Sequence, residues 1–120
     1  MRNITVNIIP QLKDNYSYII ESEADCYAVI IDPAEVESHC NFLQKKNLNL
    51  DSIILTHHHH DHVGGNIELK KLYNAKVVGF VGDKHRIPGI NITLEDNMNW
   101  IFGKSSVKIL HIPGHTLGHI

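Results

Sequence analysis

Residues 56–65 of the chain read THHHHDHVGG and place five histidines and one aspartate within the six positions 57–62. For a single histidine, a solvated loop position is the simplest interpretation. This density favours a different one, because imidazole is a common zinc ligand and a carboxylate adds a harder oxygen ligand. A purification tag would lie at a terminus, whereas this run is internal. The run therefore predicts a metal site.

The order of the histidines indicates which side chains share an ion. In an extended loop, residues two apart point the same way. His57 and His59 then converge, while His58 and His60 turn outward. On this basis, we expect His59→Ala to weaken metal binding sharply and His58→Ala to change it little.

The aspartate and histidine that end the run, Asp61 and His62, can reach a neighbouring ion. A helical alternative pairs His58 with His62, as in the HExxH metalloproteases. Position 59 is histidine rather than the required glutamate, and residues 52–56 before the run are strand-like. The extended loop is therefore favoured.

A three-histidine site needs one more nitrogen from elsewhere in the chain. The best candidate is His115, in the stretch IPGHTLGH at 112–119. Pro113 and Gly114 predict a turn directly after a strand, which would present His115 at the end of the sheet.

Hydrophobic patterning predicts an alternation of strands and helices around these loops. Apolar runs predict strands at 4–9, 16–20, 27–31, 52–56 and 76–81. Helical spacing predicts amphipathic helices over 35–46 and 66–73. After a loop at 82–90, MNWIF and VKILHI flank GKSS and predict a hairpin. The first three strands are expected to be antiparallel.

Composition bounds the class of protein. The 120 residues, 42% hydrophobic and 20% charged, fit a single small domain over 1–120. A net charge of -2 gives no basic surface for nucleic acid or anionic lipid. No apolar run is long enough to span a membrane or to act as a secretion signal, so we expect a cytoplasmic protein.

Cys26 and Cys40 lack CxxC spacing and are expected to be buried or half-buried free thiols.

The motifs together resemble a known family. HxHxDH at 57–62, GG at 64–65 and GHT at 114–116 form the signature of the metallo-β-lactamase-fold hydrolases. Within that superfamily the chain looks most like glyoxalase II, because THHHxDHxGGN, DNYxY at 14–18, IDP at 31–33 and PGHTLGHI at 113–120 all match. The resemblance runs through essentially the whole chain.

The resemblance implies an α/β (α+β) fold, the N-terminal half of an αββα sandwich of mainly antiparallel or mixed sheets with flanking helices. It implies His57, His59 and His115 on a first metal, and Asp61 with His62 on a second, with Asp61 also orienting the nucleophile. His60 stands where the family often has an aromatic residue, which is not a ligand position. Zinc, two ions in a complete site, is the implied cofactor, with iron and manganese as alternatives.

The implied reaction is hydrolysis of a glutathione thioester, S-lactoylglutathione, to lactate and glutathione in methylglyoxal detoxification. Metal ions lower the pKa of water toward neutrality and stabilise the oxyanion that forms on the carbonyl. A thiolate is already a good leaving group, so little general-acid help is needed.

Members of the family are about twice this length, and their second half supplies the remaining ligands of the second metal and the residues that hold glutathione. One half of a sandwich leaves the inner apolar face of its sheet uncovered. We expect such a chain to be marginally stable, to self-associate, or to be completed by another chain carrying the C-terminal half.

Three functional interpretations remain open. The chain is a thioester hydrolase or its N-terminal portion, an inactive metal-binding remnant of a split gene, or a relative with other chemistry. The other chemistries are β-lactam hydrolysis, nucleic-acid processing and iron-dependent persulfide oxidation. The absence of a secretion signal disfavours a lactamase, and the absence of a basic surface disfavours a nuclease.

The remaining candidate residues have simpler expected roles. We expect His39, His85 and His111 to lie in a solvated helix, a loop and a strand, respectively. His119 is expected to pack near the metal ligands without binding the ion, and Asp32 either to hold the histidine loop or to cap the following helix. Tyr16 and Tyr18, one of them facing inward, are expected to belong to the core rather than to contact a substrate, and Trp100 is expected to pack there as well.

Overall fold

A six-stranded mixed sheet is the main element of the computed structural model, which describes residues 4–22, 25–102 and 105–120. Its strands, in spatial and chain order, are β1 (Ile4–Gln11), β2 (Asn15–Ser22), β3 (Tyr27–Ile31), β4 (Asn49–Ile54), β5 (Lys76–Phe80) and β6 (Ile92–Leu94). β1, β2 and β3 pair antiparallel, and β3 to β6 pair parallel.

Three helices and a hairpin complete the fold. The helices are α1 (Glu37–Lys46), the single turn α2 (His60–Val63) and α3 (Asn66–Tyr73), and a 3₁₀ turn spans Val81–Asp83. A two-stranded antiparallel sheet is formed by β7 (Asn99–Phe102) and β8 (Ser105–Lys108). α1 and α3 each end at an asparagine with positive φ, Asn47 and Asn74, a residue type that tolerates this left-handed cap. None of these helices is long and apolar enough to cross a membrane.

The two faces of the main sheet carry different layers because side chains alternate along each strand. One face packs on α1 and α3 through Ile19, Ile30, Ile53, Val77, Leu43 and Leu69, all buried. The other face packs on the β7–β8 hairpin through Val29, Ile54, Val78, Phe102 and Ile109. The core therefore has two layers on opposite sides of β3, β4 and β5.

The hairpin covers only part of the second face. Across β1 and β2, the paired strands place Ile4, Val6, Ile8, Tyr16 and Tyr18 on that face, and all five are exposed. A groove of about 300 Å³ runs between this area and the hairpin. The expectation that Tyr16 and Tyr18 belong to the core is wrong, because no layer of the described residues covers their end of the sheet. Trp100 is half-buried in the groove wall and stacks on Phe102.

The predicted class, a mixed sheet with flanking helices, is confirmed, and α3 has the predicted bounds. The sequence missed β6, a three-residue strand too short for a periodicity argument. It also extended the last strand too far, since β8 ends at Lys108 and His111 follows it in a loop. Gly103 and Lys104 of the predicted hairpin turn lie outside the described residues.

Both cysteines are free, as expected. Cys26 is nevertheless exposed, contrary to the expectation of a buried or half-buried thiol. It lies in the turn before β3 with a φ of 57°, where the chain reverses at the surface.

His39 is fully buried, which contradicts its expected position on a solvated helix face. Its Nε2 lies 2.8 Å from the Ser17 hydroxyl, and its Nδ1 lies 3.0 Å from the Glu35 carbonyl. Both polar neighbours let the imidazole sit beneath the sheet with its nitrogens satisfied. Burial lowers the pKa of His39 below its ordinary value of 6.5.

This burial predicts an acid-sensitive fold. Below pH 6.5 the His39 side chain is protonated in the unfolded chain but stays neutral in the folded one. The free energy of unfolding should therefore fall as the pH drops from 6.5 toward the lowered pKa of His39. The slope is at most about 1.4 kcal/mol per pH unit for one histidine. Urea unfolding at about pH 7.5 and about pH 5.5 should show a smaller loss for His39→Gln than for the unsubstituted chain. The exposed His85→Gln serves as the control, and equal slopes in all three proteins would contradict the prediction.

Candidate metal centre

The histidine loops meet at one edge of the main sheet. The parallel strands β3, β4 and β5 end there, and they are followed by Asp32, by the run from His57 to His62, and by Asp83. The antiparallel β2 starts at the same edge with Asn15. Carboxyl ends of parallel strands are where α/β proteins assemble sites, because the loops there converge.

Buried His57 lies at the centre of a group of imidazoles. Its ring centroid is 4.8 Å from that of His59, 4.2 Å from His62, 4.9 Å from His115 and 4.6 Å from His119. The ring of His59 is also 4.8 Å from that of His115. One ligand nitrogen from each of His57, His59 and His115 lies within 4.8 Å of the others.

The orientation of His57 is set through its Nδ1, which lies 2.8 Å from the Thr56 hydroxyl. That hydroxyl donates to the carboxylate of Asp32, which also accepts the Thr56 backbone N–H at 2.8 Å. The opposite nitrogen, Nε2, is buried and has no hydrogen-bond partner in the described part of the chain. Burial, with repulsion from His62, lowers the pKa of His57 to about 4, so the ring is neutral near pH 7.

His62 is oriented in the same way, with its Nδ1 3.1 Å from the carboxylate of Asp32. This contact, reinforced by Asp61, raises the pKa of His62 above its ordinary value. Its Nε2 faces Asp61, whose Oδ2 is 3.5 Å away. Asn15 donates to the same Oδ2 at 2.8 Å and lowers the pKa of Asp61. Asp61 is therefore held as a charged, half-exposed carboxylate.

The loop that carries His115 is fastened to the end of β4. The backbone N–H of Ile120 donates to the Thr56 carbonyl at 2.9 Å, and that of Ile112 donates to the His119 carbonyl at 2.7 Å. The ring of His111 stacks on Phe80 and lies 2.7 Å from the Leu117 carbonyl. His119 stacks on His57 at an interplanar angle of 19°.

The run itself changes conformation in the middle. His59 is extended, with φ -62° and ψ 145°, and α2 begins at His60. The helical pairing of His58 with His62 is therefore not formed. Gly64 lets the end of α2 approach the loop between β3 and α1, because a Cβ there would lie 2.5 Å from the Ala34 carbonyl oxygen. His60 is exposed as expected, but His58 is half-buried, with its Nδ1 3.6 Å from Asp83 Oδ2.

The donor set fits a metal ion. Neutral imidazole nitrogens suit zinc and similar ions, and the Nε2 of His57 is buried without a hydrogen-bond partner among the described residues. A second set, Asp32 with His57 and His62, also lies within 4.8 Å. The oxygens of Asp32 already contact Thr56 and His62, so Asp32 is placed to orient the histidine rings rather than to bind an ion itself. Of its two expected roles, it has the first, holding the histidine loop.

Asn15 and Asp83 were missed by the sequence reasoning. Asn15 and Asp61 are 46 positions apart in the sequence, and strand pairing in the sheet brings them into contact. Asp83 follows β5 at the edge where the histidines emerge, and an acidic residue just after a predicted buried strand was an available signal.

Replacing Asp32 with asparagine should lower the pKa of His62 toward 6.5, because the charge that favours its protonated form is removed. We expect a loss of about 2 kcal/mol in the free energy of unfolding, since hydrogen bonds to a carboxylate are lost. The raised pKa of His62 stabilises the folded chain below pH 6.5, and the Asp32→Asn variant should lose this added stability. NMR titration of the histidine rings in the metal-free chain measures the pKa, with Asp51→Asn as the control. An unchanged pKa of His62 would contradict this account.

Comparisons with known proteins agree with this geometry. The family model of the metallo-beta-lactamase superfamily matches residues 12–90. The chain is 51% identical over 115 residues to a hydroxyacylglutathione hydrolase of Pelagibacter ubique, covering 96% of this chain and 48% of the relative. It is 42% identical over 112 residues to a hydroxyacylglutathione hydrolase of Methylococcus capsulatus, covering 93% of this chain and 44% of the relative. The chain thus spans about half the length of these curated relatives.

Solved structures show the same fold. The crystal structure of the BLEG-1 B3 metallo-beta-lactamase superposes with a TM-score of 0.85 at 23% identity, covering 96% of this chain and 65% of that one. The crystal structure of ETHE1 from Myxococcus xanthus gives a TM-score of 0.82 at 28% identity, covering 96% of this chain and 51% of that one. With the family model matching most of its length, the chain belongs to the metallo-beta-lactamase superfamily.

Proposed function

We propose that the chain is the N-terminal, ligand-bearing portion of a glyoxalase II, a hydroxyacylglutathione hydrolase that converts S-lactoylglutathione to lactate and glutathione. The observation that carries the proposal is the convergence of His57, His59 and His115 beside the Asp61–His62 pair. Similarity to curated hydroxyacylglutathione hydrolases over almost the whole chain supports this substrate over a β-lactam or a persulfide.

The proposed metal ligands are chosen by which imidazole nitrogens have no hydrogen-bond partner or lie close to another possible ligand atom. His57, His59 and His115 would hold the first ion, and the 3.5 Å separation of Asp61 Oδ2 and His62 Nε2 suits two ligands of a second. Zinc is the proposed metal, two ions in a complete site, with iron and manganese compatible with the same ligands. When bound, such ions supply Lewis-acid activation of water and of the thioester carbonyl.

The residues of this chain orient that chemistry. Asn15 fixes one oxygen of Asp61, and the lowered pKa keeps the carboxylate charged and able to accept a hydrogen bond from an attacking water. Asp32 contacts Nδ1 of His62 directly, and it contacts Nδ1 of His57 through the Thr56 hydroxyl. Both rings would therefore present Nε2 to the ions.

Zinc binding tests the ligand assignment within one run of histidines. His59→Ala removes a proposed ligand, while His60→Ala removes an exposed imidazole of the same run. We expect titration against a chromophoric chelator to show zinc affinity at least about 100-fold weaker for His59→Ala, and an unchanged affinity for His60→Ala. Equal losses in the two variants would contradict the assignment.

The exposed apolar face of β1 and β2 indicates that part of the fold needed for activity is missing from the described residues. Exposed apolar patches of this kind mark surfaces that pack against another layer. We propose that the layer is the second half of the family fold, with a second copy of this chain as the alternative. The remaining metal ligands and the contacts to glutathione would come from that half.

Hydrolysis of S-lactoylglutathione in added zinc tests the function. The purified chain alone should be no more active than its Asp61→Ala variant. Co-expression with the C-terminal half of the Pelagibacter ubique relative should give activity at least about 100-fold above that background, and Asp61→Ala should abolish it.

Each outcome of this experiment has a distinct meaning. Activity of residues 1–120 alone that Asp61→Ala abolishes would mean that copies of this stretch complete the site, which supports the hydrolase but contradicts the need for the second half. A complemented chain that binds zinc but hydrolyses nothing would contradict the proposed function and leave a metal-binding remnant.

A further inference from the structure

Asp83, at the end of the 3₁₀ turn after β5, is a carboxylate whose burial needs an explanation. It is 4% exposed, and its Oδ2 has no hydrogen-bond partner in the described part of the chain. The Arg86 guanidinium approaches only the other oxygen, with Nη1 3.9 Å from Oδ1, and is about half exposed. Burying a carboxylate is costly unless it is paired, so this weak contact does not account for its position.

The unpaired oxygen faces a second unpaired atom. His58 Nδ1 is also buried without a hydrogen-bond partner among the described residues, and it lies 3.6 Å from Asp83 Oδ2. This separation is too long for a hydrogen bond and too short to admit a bridging water. A closure of under about 1 Å would pair the two atoms directly.

The same oxygen also contacts the second histidine loop. A Cβ placed on Gly118 would collide with Asp83 Oδ2, so the backbone there rests against the carboxylate. Gly118 lies between His115 and His119, whereas His58 lies between His57 and His59. One buried carboxylate thus touches both loops that bring ligands to the site.

We propose that Asp83 is a positioning residue, which acts through His58 and Gly118 to fix the distance between the His57–His59 run and His115. It touches neither the proposed metal nor the substrate. The proposal rests on the three-histidine site and assigns His58 a role as its partner. His58→Ala should then weaken metal binding, contrary to the expectation from alternation that this histidine matters little.

Cobalt(II) binding tests this role without any activity measurement, because visible absorption reports both the affinity and the ligand geometry. Asp83→Asn keeps the shape of the side chain and removes its charge, and His58→Ala removes the facing ring. Each should weaken cobalt binding by about tenfold or more and alter the absorption bands. Because the two residues act as a unit, the double variant should bind no more weakly than the weaker single variant.

Matched controls isolate the contact. Asp51→Asn removes a carboxylate at the far end of β4, and His60→Ala removes an exposed histidine of the same run. Both should bind cobalt as the unsubstituted chain does. Far-ultraviolet circular dichroism of each metal-free variant verifies folding, and if Asp83→Asn does not fold, His58→Ala tests the contact from its other side.

Unchanged affinity and spectra in Asp83→Asn and His58→Ala would overturn the proposal, as would losses that add in the double variant. If His59→Ala abolishes binding while Asp83→Asn does not affect it, only the role of Asp83 fails. Absence of cobalt binding by the unsubstituted chain would contradict the three-histidine site, and the role of Asp83 with it.

Discussion

The carboxylate of Asp32 makes the contacts on which the geometry of the site depends. It follows β3 directly, accepts hydrogen bonds from the backbone and hydroxyl of Thr56, and contacts His62 Nδ1. Its φ of 54° turns the chain there, in a left-handed conformation that aspartate tolerates better than most residues. Through these contacts the end of β3 fixes the start of the histidine run and the rings of both His57 and His62.

Parallel pairing explains why these groups meet at all. β3, β4 and β5 end at one edge of the sheet, so Asp32, the histidine run and Asp83 lie together although they are separated in sequence. The loop carrying His115 closes the group because Ile120 donates to the carbonyl of Thr56. Hydrogen bonds therefore hold the rings of His57 and His62 and the loop that carries His115 without a metal, which would lower the ordering cost of binding one.

Sequence reasoning predicted the elements with strong periodicity and the convergence of His57, His59 and His115, because strand alternation and turn chemistry are local properties. It failed where the outcome depends on distant partners. His39 has helical spacing typical of a solvated position, yet Ser17 of β2 allows it to be buried. Tyr16 has the pattern of a core residue, but its side of the sheet lacks a covering layer among the described residues. His58 is expected to turn outward, yet it is half-buried beside Asp83, a contact that no local pattern indicates.

A crystal structure of the zinc-loaded chain, with the ion located from its anomalous scattering, would show which side chains bind the metal. We expect a zinc peak about 2.0–2.1 Å from one nitrogen each of His57, His59 and His115, with Asp32 still in contact with Thr56 and His62 Nδ1. A zinc ion bound instead by the Asp32 carboxylate with His57 and His62 would contradict it, because the residue assigned to orient the ligands would then be one of them.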